Sequence, residues 1–165
     1  MKKLLVFAIA LTLLIPFART TFAASSTTAK STVQRTRLPF KGTMESTETY
    51  AVDFPTMSVT ASGSGTGTPL GQFTVKYGAE VNLLDFSWDE STELIGFNGD
   101  SIRMKGLGQA TQNKTPTLFN VVEIYTITGG TGRFSGASGT LTLNRLFSIA
   151  TGATSGTFEG YVFTP

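Results

Sequence analysis

Between Phe119 and Leu143 the chain reads FNVVEIYTITGGTGRFSGASGTLTL, two β-rich runs around a cluster of glycines at Gly129, Gly130, Gly132, Gly136 and Gly139. Side chains change face at every residue of a strand. Phe119, Val121, Glu123, Tyr125 and Ile127 therefore share one face, and Leu141, Leu143, Arg145, Phe147 and Ile149 share one on the second run. Glycine supplies the positive φ that a tight turn and a bulge require. The pattern predicts an antiparallel hairpin turning near Thr131 to Arg133. It also sets one acid, Glu123, and one base, Arg145, on otherwise apolar faces.

The rest of the chain repeats this grammar. Runs at Phe40 to Tyr50, Met57 to Thr66, Gln72 to Leu83, within Asp85 to Phe97, and at Ser101 to Gln112 precede the pair above. Thr154 to Phe163 follows it. Asn98-Gly99 is a strong two-residue hairpin signal. No segment carries a helical period. Eight alternating runs separated by turn residues predict an all-β fold, an eight-stranded antiparallel barrel. Gly63, Gly65 and Gly67 share a face, as do Gly106 and Gly108 with Ile102 and Met104. Inward glycines let strands bend and leave room for large neighbours. Phe73, Tyr77, Trp88, Tyr125, Phe147 and Phe158 are the side chains expected to fill that room.

Composition excludes whole classes of chemistry. The chain has no cysteine and no histidine. Disulfides, thiolate catalysis, histidine-based triads and histidine zinc sites are not available within one chain. Residues 1–23 read as a secretory signal: Lys2 and Lys3, an apolar run from Leu4 to Phe17, then Thr21-Phe22-Ala23 as a cleavage site. Without Lys2, Lys3 and Arg19 the chain carries ten basic and eleven acidic residues, a net charge of −1. No basic field remains to attract nucleic acid. The expectation is an exported protein, secreted or periplasmic, with no stable membrane insertion. Residues 24–38 read as a flexible Ser/Thr-rich leader, and 39–165 as one domain.

The stretch from Glu123 to Gly139, with its GG-x-G-x-F turn, resembles the allene oxide cyclase barrel superfamily, which includes plant allene oxide cyclases and dirigent proteins. Pro39-Phe-Lys-Gly-Thr43, Gly71-Gln-Phe-Thr-Val75, Asn98-Gly-Asp100 and Thr154-Ser-Gly-Thr-Phe158 resemble a family of secreted bacterial proteins with that barrel. The resemblance covers about residues 39 to 163. It implies the eight-stranded barrel and a monomer or homotrimer. It also implies a glutamate on the first strand, where Glu45 and Glu48 stand. The residues around the cyclase site are not matched, so the resemblance does not carry that activity over.

Candidate sites follow from the faces. Glu123 and Arg145 are expected inside the barrel, either as a paired core charge that fixes register or as a polar anchor for a ligand. Tyr77, Trp88 and Tyr125 offer polar tips at a barrel mouth, with Phe73 and Met104 on the apolar wall. Glu45 and Glu48 lie on opposite faces and read as a solvated rim. Asp85, Asp89, Glu90 and Glu93 read as a surface hairpin, since they lack a calcium-loop spacing. No cofactor is expected. Three functions fit this set: a binder of a small apolar molecule, a cyclase-type isomerase, and a packed extracellular module. Binding comes first among them and catalysis last. N-terminal sequencing of exported protein should begin at or next to Ala24, whereas a full-length membrane-bound product would refute the signal.

Overall fold

The computed structural model describes residues 34–85 and 88–165. The signal segment and most of the leader lie outside the described residues. Eight strands follow in chain order: β1 Thr36–Asp53, β2 Thr56–Thr68, β3 Gly71–Asn82, β4 Trp88–Gly96, β5 Ser101–Gln112, β6 Leu118–Gly130, β7 Ser138–Ser148 and β8 Ala153–Thr164. Each pairs antiparallel with its chain neighbours, and β8 pairs with β1 to close the barrel. Closure leaves the sheet no free edge.

Alternation in the sequence becomes alternation of burial. On β6, Val121, Glu123, Tyr125 and Ile127 are buried while Val122, Ile124 and Thr126 are exposed. The inward glycines meet aromatic rings, as their spacing implies. A Cβ on Gly65 would stand 2.5 Å from the Phe73 ring, and one on Gly106 would stand 2.7 Å from the Tyr125 ring. The strands can carry these rings inward only because those positions have no side chain.

Three boundaries differ from the sequence reading. The strand β1 begins at Thr36, inside the segment read as leader, because Thr36, Arg37 and Leu38 pair with Thr164, Phe163 and Val162 of β8. Asp89, Glu90 and Glu93, read with Asp85 as a surface hairpin, all lie within β4. The β6–β7 connection is longer than a tight turn. It contains a short 3-10 turn, Gly132–Phe134, and swings Phe134 into the barrel end, where it is almost fully buried. The bulge falls just before it: Arg103 pairs with Gly129 and Met104 with Ile127, so Thr128 is the extra residue.

Phe134 closes one end of the barrel together with Phe40, Leu70, Ile102 and Val162, which belong to the same hydrophobic cluster. Arg133 holds this plug in register. It donates to the Pro69 carbonyl at 2.9 Å and pairs with Asp100 at 3.0 Å, tying the β6–β7 loop to the β2–β3 and β4–β5 turns. The interior beyond the plug turns from apolar to charged, and that layer holds the candidate site.

Candidate functional site

Four adjacent strands place one charged cluster inside the barrel. Arg145 projects inward from β7, Glu123 from β6, Thr154 from β8 and Glu48 from β1. The Arg145 guanidinium donates from Nε to Glu123 Oε2 at 3.0 Å and from Nη2 to Glu123 Oε1 at 2.7 Å. This is the two-point fork that arginine makes with a carboxylate. Its Nη1 pairs with Glu48 and donates to Thr154 Oγ1 at 3.2 Å. The side chains of Arg145, Glu48 and Glu123 are only 9%, 7% and 3% exposed. Burial pulls the Arg145 proton affinity down, but the hydrogen bonds and charge of Glu123, then the charge of Glu48, outweigh it. The guanidinium is thus held more firmly protonated than in water.

Glu123 and Arg145 do share the interior, but they are diagonal neighbours. Glu123 faces Leu143 directly, and Arg145 faces Val121. Diagonal side chains on one sheet face remain within reach of a long arginine. The third member, Glu48, corrects the sequence reading of a solvated rim. It is buried because β1 carries it on the face of Phe40 and Ser46, both buried. Tyr50 donates to its second oxygen at 3.1 Å. Burial first, then the charge of Glu48, raises the Tyr50 hydroxyl above its ordinary value.

Glu90 is the second correction. Read as part of a surface hairpin, it is 1% exposed, on the inward face of β4 with Thr92 and Leu94. Asp89 points the other way and pairs with Lys105 at 3.6 Å on the surface. The Glu90 carboxyl and the Tyr125 ring meet over Gly106, where an added Cβ would lie 2.7 Å from each. Glu90 Oε1 accepts a long 3.5 Å hydrogen bond from Thr92, and Oε2 is buried without a hydrogen-bond partner. Burial, then repulsion by Glu123, pushes its pKa up from 4.5 to about 7. Tyr125 donates to Glu123 Oε2 at 3.2 Å, and its hydroxyl is raised by burial and by Glu123 and Glu90. Tyr77 is raised by burial and then by Glu90.

Between the charged cluster and the plug lies a cavity of about 30 Å³. Its walls include Met44, Val75, Leu94, Met104, Leu143 and Phe158, and its polar edge is Tyr77, Thr92, Tyr125, Glu48, Arg145 and Thr154. Of the residues singled out in the sequence, Tyr77, Tyr125, Met104 and Arg145 line it. Glu123 stands behind Arg145. Phe73 packs in the apolar core against Phe158, and Trp88, half-buried at the start of β4, does not line the cavity. Glu48, Glu90, Thr92 and Thr154 were missed, although β parity alone places Glu48 with Phe40 and Glu90 with Leu94.

The structure matches that of a pterocarpan synthase dirigent protein, with a TM-score of 0.54 and 13% identity over 87% of this chain and 97% of that one. The fold is that of the dirigent-type barrel. No protein-family model matches the sequence, and no curated protein does. At this identity the likeness extends to the fold alone.

Two predictions follow from the charges. Replacing Arg145 with Met leaves two buried carboxylates without their cation. It should cost on the order of 3–5 kcal/mol in urea unfolding, more than Glu48→Gln or Glu123→Gln alone. Adding both glutamine changes to Arg145→Met should recover part of that loss. Near-zero effects for all three single variants would place these side chains in solvent. Glu90 sets a pH dependence. Its folded pKa lies above its unfolded one, so its contribution is fully present below about pH 4.5 and is lost as the pH rises through about 7. Relative to wild type, Glu90→Gln should gain roughly 3 kcal/mol of stability between pH 4.5 and 8. Parallel stability curves for the two proteins would refute this.

Proposed function

We propose that this barrel binds a small, largely apolar molecule in its internal cavity, with the polar edge orienting one hydrogen-bonding group. One observation carries the reading: an apolar cavity abuts a buried set of ionisable groups that includes a carboxyl oxygen with no partner. Buried charges cost stability unless they are paired. Perturbed titratable groups beside a cavity are characteristic of functional sites. A barrel selected for stability alone would be served by aliphatic residues at Glu48, Glu90, Glu123 and Arg145. The dirigent-type fold supports the reading by analogy, as does the exported location expected from residues 1–23.

The size of the cavity limits the ligand. Sites for drug-sized molecules usually enclose ~300–1,000 Å³. A cavity of about 30 Å³ holds about two waters. Binding therefore requires side chains to move. Met44 and Met104 are suited to that, because the unbranched thioether repacks easily. The same small volume favours a second reading, in which the barrel is a packed extracellular module whose ion cluster only fixes strand register.

Native mass spectrometry of protein purified from its own host separates the two. The binding reading expects a retained small molecule that is lost in Tyr77→Ala or Met104→Ala. A bare mass for wild type and variants, with no shift in melting temperature from a panel of small apolar compounds, would establish the packed module instead.

A further inference from the structure

The charges buried around the cavity do not balance. Among the described residues three buried carboxyl side chains, Glu48, Glu90 and Glu123, stand against one buried guanidinium; Glu48 and Arg145 line the cavity, and Glu90 and Glu123 stand behind its wall. Arg145 is committed to Glu48 and Glu123, using both of its terminal nitrogens and Nε. Glu90 lies apart from that fork. It is buried to 1% exposure, its Oε1 accepts a long hydrogen bond from Thr92, and its Oε2 has no hydrogen-bond partner. Thr92 and Tyr125, which touch it, both line the cavity, and Tyr77 lines the cavity beside Thr92, its register partner. A carboxyl buried with an open oxygen lacks the compensation that almost every buried polar group has.

We propose that the cavity takes a compact primary amine, its ammonium group held by Glu90 Oε2 against the rings of Tyr77 and Tyr125. This rests on the binding reading above and names the ligand's class. The chemistry is complementary at each point. An ammonium supplies donors for the open oxygen, and a charge-assisted hydrogen bond is about twice as strong as a neutral one. Tyrosine faces attract a cation within ~6 Å of the ring. Met104, Leu94 and Val75 receive the hydrocarbon part. An anionic ligand would meet the Glu48 carboxyl at the cavity wall, with Glu90 and Glu123 behind it, and find the guanidinium already occupied. The small resting volume favours a short, branched skeleton over an extended chain.

The test uses three probes with one carbon skeleton: isobutylamine, isobutanol and isobutyrate. Methyl NMR of methionine-labelled protein follows Met44 and Met104 in the cavity wall, with Met57, which does not line it, as an internal control. The amine should shift the Met44 and Met104 signals and bind about tenfold tighter than the alcohol, while isobutyrate leaves them unmoved. Glu90→Gln should bring the amine down to the affinity of the alcohol. In the wild-type protein, amine affinity should rise from pH 6 to pH 8 as Glu90 ionises, and alcohol affinity should not. The groups that bear on this titration are Tyr77 on β3, Tyr125 and Glu123 on β6, Arg145 on β7, Glu48 on β1, and Trp88 on the same strand. Alcohol binding as tight as amine binding, or an amine preference that survives Glu90→Gln, overturns the amine assignment and leaves the binding reading standing. Silence from all three probes overturns the amine assignment, and together with a bare native mass it overturns the binding reading as well.

Discussion

The Arg145 guanidinium is the point on which the charged half of the barrel interior depends. Its partners come from β6, β8 and β1, so a single side chain on β7 ties together four adjacent strands. One of those ties spans the closing seam. The barrel closes by pairing β8 with β1, its first and last strands, and Glu48 and Arg145 are 97 residues apart in sequence. Closing a loop of that length costs entropy before the contact can repay it. An ion pair with fixed fork geometry at the seam penalises any slipped register, because a one-residue shift would turn Glu48 outward and leave Arg145 partly unpaired. Its value lies more in specifying one closure than in net stability, since a buried ion pair often gains little over an apolar one.

The two ends of the interior solve different problems. At the plug end, rings replace the side chains that glycines lack. Phe158 lies 5.1 Å from Phe40 and 6.0 Å from Phe73, centroid to centroid, in edge-on and tilted contacts. Such packing leaves no polar group to satisfy and favours one arrangement. Toward the other end the same glycine device recurs at Gly106, yet what meets there is a ring and a carboxyl. The backbone geometry is alike in both places. Only the chemistry placed on it differs, so the polar layer is a feature of sequence choice and not a by-product of the fold.

Much of the architecture was legible because a strand has a period of two and a barrel has one inside. Alternation located the eight strands, and the Asn98-Gly99 signal marked a turn in which Gly99 has φ of 85°. It also set Glu123 and Arg145 on the inward faces. The errors share one cause. Glu48 and Glu90 were read from their type, as charged residues are usually exposed, while their parity already placed them with buried neighbours. The extent of the β6–β7 loop was illegible for a different reason. Five glycines permit many turns, and the selection among them is made by Phe134, whose burial in the barrel end is a tertiary contact with no local signature.

The likeness to a dirigent barrel and the identity of the interior residues bear on different questions. A TM-score of 0.54 at 13% identity means that the strands superpose while almost every side chain has changed. Eight strands of this kind enclose room for side chains or for one small ligand, and which of the two occurs is decided by the inward residues. Here those residues nearly fill the space, then place a carboxyl with an unpartnered oxygen behind the tyrosine and threonine that edge what is left. A packed barrel would be more stable with an apolar residue at position 90, because desolvating that carboxyl raises its pKa to about 7. Among the described residues the unfavourable energy is concentrated at one oxygen behind the cavity wall, while the other buried charges are paired. The proposed binding reading rests on that distribution, since a core complete by itself gains nothing from a buried carboxyl left unpaired.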